Sequence, residues 1–293
     1  MSRRSGGRQA RLAERLAPLT EEAKPVHPGE IGGTFMPLSA TAMSAIADNV
    51  YRILAEVGFG RSTPHCTETM VAAGAIMGDD GRLRIPRSLV EHTLTICQRN
   101  LTLHGVDAKH DLELNGQRVH FSTAGAAVHV SDPENNTYRN SATEDLYDMA
   151  RIADTCEHIH MFQRMCVLRD IDDPKTMDLN TLYCSIMGNS KHIGTSFTEA
   201  DHVAAGLKML HHFSGSEAAW RARPFVSMSN CFVVPPMTFA EESLECLRVG
   251  VEGGMPILLL SAGQAGATAP ALLAGAVSQA WAECLGGLVY VNA

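Results

Sequence analysis

From Ser141 onward the chain alternates strand-like apolar runs with amphipathic helical stretches, at intervals of about 30 residues, the length of one βα unit. Ser141-Ala-Thr-Glu144 has the spacing of a capping box opening a helix that runs to about Cys156. Strands are expected at 158–167, 191–197, 225–234, 255–261 and 288–292. Helices are expected between them at 178–187, 198–213, 238–251 and 268–285, the last two closed by Gly253-Gly254 and Gly286-Gly287. This pattern demands a parallel sheet covered by helices. Neither a GxGxxG turn after a first strand nor a GxxxxGK[ST] loop occurs, which disfavours dinucleotide-binding and P-loop folds. The remaining parallel solution is α/β with a TIM (β/α)8-type barrel. Five strands, or six with 119–123, do not close one. The expectation is an incomplete barrel, open after Val291, in the N-terminal portion of a longer polypeptide.

The barrel-like part, 141–293, follows a region of different character over 31–140. Its first helix is expected over 39–57, with Ser39 as N-cap, Ile46, Val50, Ile53, Leu54 and Val57 at helical spacing, and Gly58 as the stop. A second covers 66–74. A third starts near Pro86 and runs to about Gln98. Residues 101–139 alternate in the manner of a small antiparallel β region, with a hairpin turn at Asn115-Gly116. Residues 1–30 form a Pro-punctuated arm in which Arg3, Arg4, Arg8, Arg11 and Arg15 face Glu14. That composition suits a solvated arm better than an organelle presequence.

Lys+Arg number 24 against 32 Asp+Glu, a formal net charge of −8, which argues against nucleic acid as a partner. No apolar run approaches the ~20 residues of a membrane span, so neither membrane insertion nor secretion is expected, and the location is read as cytoplasmic. The eight cysteines include no CxxC pair and fit neither a zinc module nor a disulfide framework. They are expected to be reduced and mostly buried.

Several segments, taken in order, resemble the trimethylamine methyltransferase (MttB) superfamily. They are Arg3-Arg-Ser-Gly-Gly-Arg8, Pro37-Leu-Ser39, Arg84-Ile-Pro-Arg-Ser-Leu-Val, Phe121-Ser-Thr-Ala-Gly, Asp132-Pro-Glu, Phe232-Val-Val-Pro-Pro and Val289-Tyr-Val-Asn. The resemblance covers almost the whole chain, and its specificity lies in the ordered set. It implies a TIM barrel that demethylates a tertiary or quaternary amine, of trimethylamine or betaine type. The acceptor it implies is the Co(I) corrinoid of a separate carrier protein. Family chains continue beyond this C-terminus, with a pyrrolysine region in founding members after the Val289-Tyr-Val-Asn run. The partners so implied are a corrinoid carrier protein and a small amine, and a second copy of the chain is also expected; no tightly bound metal or cofactor is.

Barrel enzymes place their chemistry at C-terminal strand ends. The candidates here are Gln163, Arg164, Ser196, Asn230, Cys231, Ser261, Gln264 and Asn292. Arg164 could pair with a betaine carboxylate, which trimethylamine lacks. Phe162, Phe197, Phe232 and Tyr290 lie near strand ends and could present aromatic faces to an ammonium group. His158-x-His160 with Cys156 could ligate zinc, but it falls at the stability end of a barrel and is read as core. His211-His212 is read as a helix cap, and Asp170, Asp172 and Asp173 as loop residues. Two rival classes are a barrel lyase or aldolase, and a non-catalytic binding module. An aldolase needs a strand-end lysine for a Schiff base, and Lys191 falls at a strand start.

Overall fold

The computed structural model describes Ala17 and residues 30–33, 35–132 and 134–293. Apart from Ala17 and Glu30, the basic arm over 1–30 lies outside the described residues. The centre of the molecule is a four-stranded parallel sheet: β1 (Met161–Gln163), β2 (His192–Thr195), β3 (Val226–Asn230) and β4 (Ile257–Leu259). The strands lie side by side in chain order, with no reversal. A doubly wound sheet would show a switch point; this sheet is wound in one direction. Two isolated parallel bridges, Ser122 to Met161 and Ala127 to Cys166, lay the segment 122–127 along the outer side of β1. Among the described residues, the outer edge of β4 has no partner strand.

Among the described residues the first three α-helices are α1 (Ala40–Arg52), α2 (Pro64–Ala72) and α3 (Arg87–Ile96). Ser39 accepts from Ala42 N and caps α1, as expected. The helix continues as a π turn over Ile53–Val57, and Gly58, at φ 67°, ends it. Around the sheet run α4 (Thr143–Thr155), α5 (Pro174–Gly188), α6 (Ala200–Phe213), α7 (Glu217–Ala222), α8 (Glu241–Glu252) and α9 (Leu273–Asn292). Two apolar clusters hold these layers. Phe162, Ile193, Val226 and Met228 from one face of the sheet pack with Leu146, Leu182, Leu207 and Trp220 from the helices. Phe59, Phe232 and Phe239 join α1–α3 to α8 and α9, with the Phe59 and Phe239 rings stacked at 4.2 Å. Burying each ring contributes about 1.5–3 kcal/mol.

The structure corrects several sequence expectations. The segment 288–292 is the last turn of α9 and not a fifth strand. Gly286 and Gly287 do not close the helix. A Cβ on Gly286 would overlap the Phe59 ring, and one on Gly287 would overlap the Phe232 ring. The glycines are contact points where aromatic side chains touch a helix backbone. The strand expected over 225–234 ends at Asn230, and Val233–Val234 forms its own small antiparallel pair with Thr238–Phe239. The Asn115-Gly116 turn exists, with Arg118 N donating to Asn115 O, but its flanks do not pair with each other. Leu112–Leu114 pairs back to Leu101–Leu103, and Arg118–Val119 pairs with Glu30–Ile31. Ser141 does not cap α4, because its hydroxyl donates to Val167 O. The orphan N–H groups there go to Asp170, which accepts from Thr143 N, and to Asp145, which accepts from Ala142 N.

Candidate functional site

Register decides which side chains share a face. Phe162, Ile193 and Val226 stand opposite one another along the ladder and point into the helix layer. By strand alternation Met161, Gln163, His192, Gly194, Ser227, Ser229 and Leu258 occupy the other face. In a filled barrel, Val, Ile and Leu dominate such positions. Here, beside Met161 and Leu258, they are Gln163, His192, Gly194, Ser227 and Ser229, small or polar residues. Gly194 and Ser227 are buried, Gln163 and Ser229 are half-buried, and Leu258 is 51% exposed. At its C-terminal end Gly194, Ser227 and Ser229 fill less of this face than Val, Ile or Leu would.

Gln163 ends β1 on that face. Its backbone is clamped from the 122–127 side: Gln163 N donates to Thr123 Oγ1 at 2.9 Å, and Thr123 Oγ1 donates to Gln163 O at 2.6 Å. Its carboxamide crosses Gly194, and Ser229 Oγ donates to Gln163 Oε1 at 3.3 Å. Deeper on the same face, His192 is fully buried. Its Nδ1 donates to His104 O at 2.7 Å, and its Nε2 has no partner among the described residues. Burial pushes its pKa down to about 4, so the ring is neutral near pH 7.

The other expected residues separate into different places. Arg164 N donates to Gly194 O, so the ladder continues and its side chain falls opposite Gln163, toward the helices. Burial pushes the Arg164 guanidinium down, and the charge of Asp178 on α5 draws it back up. Asp178 is buried and accepts from Thr198 N, Thr198 Oγ1 and His202 Nδ1, at 2.9, 2.8 and 2.8 Å. Ser196 is half-buried just beyond β2. Asn230 is buried on the helix side, donating to Ser243 O on α8, with Oδ1 unpartnered. Cys231 is exposed. Ser261 turns toward α9 and donates to Glu283 Oε2 at 2.5 Å. Gln264 is exposed, its backbone folded into a turn with Thr268 and Ala269. Asn292, expected at a strand end, lies in α9, where its amide donates to Leu288 O.

The aromatic candidates are committed to packing. Phe162 and Phe232 are fully buried in the two apolar clusters. The Phe197 ring lies against Gly206 of α6, and Tyr290 OH lies 3.0 Å from His65 Nδ1. His160 Nδ1 accepts from Phe121 N, which gives that histidine a structural place. Asp173 caps α5 by accepting from Thr176 N, and Asp170 caps α4. Among the described residues, Glu199, Asp201 and His202 bring three ligand-type atoms together. Lys175 already neutralises Asp201, and Asp178 holds His202. Lys191 sits at the start of β2 and donates to Ala153 O and Cys156 O at the end of α4, a helix-capping role at the wrong end of the strand for an aldolase.

Sequence reasoning missed Gly194, Ser227, Ser229, His192 and Glu283. For the serines a signal existed: two hydroxyls two residues apart in an apolar strand mark one polar face. For Glu283, buried on α9, the sequence offered only one acidic residue in a long apolar helix.

A family model described as trimethylamine methyltransferase (MTTB) matches residues 4–293. The chain belongs to this family. Trimethylamine methyltransferase MttB of Desulfitobacterium hafniense (strain DSM 10664 / DCB-2) is 27% identical over 246 residues, covering 84% of this chain and 49% of the relative. The MttB protein of Methanosarcina thermophila is 24% identical over 256 residues, covering 84% and 52%. Glycine betaine methyltransferase of Desulfitobacterium hafniense (strain Y51) is 24% identical over 253 residues, covering 86% and 52%. The chain thus spans about half the length of the curated relatives it matches. Among the described residues, no helix of this family member is long and apolar enough to cross a membrane.

Proposed function

We propose that this chain serves an enzyme that moves a methyl group from a tertiary or quaternary amine to the Co(I) corrinoid of a separate carrier protein. The observation that carries this is the family match over residues 4–293, with relatives named for trimethylamine and for glycine betaine. In this reading the singly wound sheet is the first part of a (β/α)8 barrel whose C-terminal strand ends form the site.

The chemistry asks little of acids and bases. When a methyl leaves a quaternary ammonium, the C–N bonding pair stays on nitrogen and the amine departs neutral. The corrinoid supplies the nucleophile as a co-substrate. The protein has to hold a cation, keep water out and orient one methyl group. A face of glycine, serines and a glutamine leaves space for a ligand and brings no fixed positive charge against an ammonium group. The relative named for betaine suggests a substrate that carries a carboxylate as well.

The test is spectroscopic. Full-length protein, a reduced corrinoid carrier protein and a panel of trimethylamine, glycine betaine, choline and carnitine are mixed. Conversion of Co(I) to methyl-Co(III) with at least one of them is expected. No conversion with any member of the panel would remove the methyl-transfer reading and leave the binding-module alternative.

A further inference from the structure

We infer that Gln163 is the residue that tells one amine from another, and that Gly194 and Ser229 are the positioning residues that let it do so; this rests on the methyl-transfer reading above. Three features of the fold meet at this one side chain.

The first is the glycine. Gly194 sits in the middle of β2 and is absent from the positive-φ residues, so its backbone needs no glycine. Glycine inside a strand is destabilising relative to alanine. What the position uses is the missing side chain. A Cβ at 194 would overlap Gln163 Oε1. Only glycine lets the carboxamide lie across β2.

The second is the direction of the amide. Ser229 Oγ donates to Gln163 Oε1 at 3.3 Å. That commits the oxygen. The Nε2 hydrogens have no partner among the described residues, and the group is not sealed from solvent. Among the described residues both donors are free, on a face that carries Gly194, Ser227 and Ser229 beside them.

The third is rigidity. Thr123 clamps the Gln163 backbone through both its N–H and its carbonyl. Gly194 and Ser229 fix the side chain from the opposite direction. A donor held this way costs little ordering entropy when it binds an acceptor.

A free amide N–H₂ has nothing to offer a trimethylammonium group, which has neither lone pair nor hydrogen-bonding atom and carries positive charge. It suits an acceptor elsewhere on the substrate, and a carboxylate most of all. The geometry therefore selects quaternary ammonium carboxylates over amines without an acceptor. A carboxylate gains a charge-assisted hydrogen bond from these donors that an amine without an acceptor cannot make.

The experiment is titration calorimetry on the full-length protein with glycine betaine, choline and tetramethylammonium as probes. Thermal unfolding of every variant serves as the fold control. The wild type is expected to bind glycine betaine at least tenfold more tightly than choline or tetramethylammonium. In Gln163→Glu the free donor becomes a like charge, so betaine affinity should fall by tenfold or more, with choline and tetramethylammonium bound unchanged or more tightly. Ser229→Ala and Gly194→Ala should each shrink the betaine preference severalfold. Equal affinity of the wild type for the three probes, or no affinity for any, overturns the inference. So does an unchanged betaine preference in a well-folded Gln163→Glu protein. The cobalt assay separates this from the broader reading. Turnover of trimethylamine with no betaine preference sinks only the role of Gln163. Gln163-dependent betaine binding without methyl transfer sinks only the reaction.

Discussion

The Ser261 hydroxyl donates to Glu283 Oε2 at 2.5 Å, and this contact ties the loop beyond β4 to the middle of α9. Glu283 is fully buried, yet both its oxygens are used. Oε1 accepts from Met237 N at 2.8 Å and from Gln279 Nε2 at 3.1 Å. One carboxylate therefore joins three parts of the chain: the Val233–Phe239 corner, the 261 loop and α9.

Replacing Glu283 by Leu should destabilise strongly. It would leave the buried Met237 N–H without an acceptor and take from the Gln279 amide and the half-buried Ser261 hydroxyl the acceptor they share. Each unpaired donor costs about 1–3 kcal/mol. Glu283→Gln keeps the shape and one acceptor, and should lose less. Chemical denaturation midpoints of the two variants are the measurement. A Leu variant as stable as the wild type would show that the network is not holding these elements.

A second prediction concerns the two glycines of α9. Gly287→Ala should destabilise by about 1–3 kcal/mol through overpacking against Phe232. Combining it with Phe232→Leu should recover part of that loss, since a smaller side chain yields the space. Stability of the single and double variants, compared as a thermodynamic cycle, checks the coupling. Additive losses would mean that Gly287 matters for something other than the ring.

The same glycines show where the sequence was legible and where it was not. The parallel strands at β1 to β4 and their helices were readable because apolar runs and amphipathic stretches differ in period. Leu288-Val-Tyr-Val was not, because a β-branched run after Gly-Gly looks the same in a strand as in a buried helix. Only the Phe59 and Phe232 rings, over 220 and about 50 residues away in sequence, reveal that the glycines serve contact. The site shows the same division. Strand ends could be located, but which face Gln163 and Arg164 occupy depends on a register set by neighbouring strands. Ser261 and Asn230 were found as polar residues at strand ends. Their partners, Glu283 and Ser243, lie on later helices that no local pattern connects to them.

His192 gives a pH prediction. Its pKa is lowered to about 4 in the folded protein, chiefly by burial, against 6.5 for an ordinary histidine. As pH falls, the unfolded chain takes up this proton first. The group's effect on stability is therefore absent above about pH 6.5, grows more destabilising as pH falls toward 4, and is flat below that. The loss across this window is about 3 kcal/mol. His192→Gln should remove that slope while keeping a donor for His104 O. Unfolding free energies of both proteins between pH 7 and 4 provide the comparison. Parallel curves would show that His192 does not titrate as its burial implies.

Arg164 supplies the last prediction, because two roles compete for it. A guanidinium at the site mouth would bind a substrate carboxylate, whereas the fold turns it toward Asp178, whose Oδ1 has no hydrogen-bond partner. No ion pair within 4 Å joins the two among the described residues, so the coupling acts across a longer gap and is worth less than a direct bridge. Arg164→Met should therefore lower stability by about 1–2 kcal/mol, a few degrees in Tm for a chain of this size. Arg164→Lys, which keeps the charge, should lose less. On the proposed methyl-transfer reading, turnover should drop through loss of folded protein, with the ratio of kcat/KM for glycine betaine and trimethylamine unchanged. That ratio is the decisive reading, since Gln163→Glu is expected to collapse it. If Arg164→Met keeps the wild-type Tm and selectively loses betaine, the guanidinium reaches the substrate after all, and the helix-facing placement of its side chain is wrong.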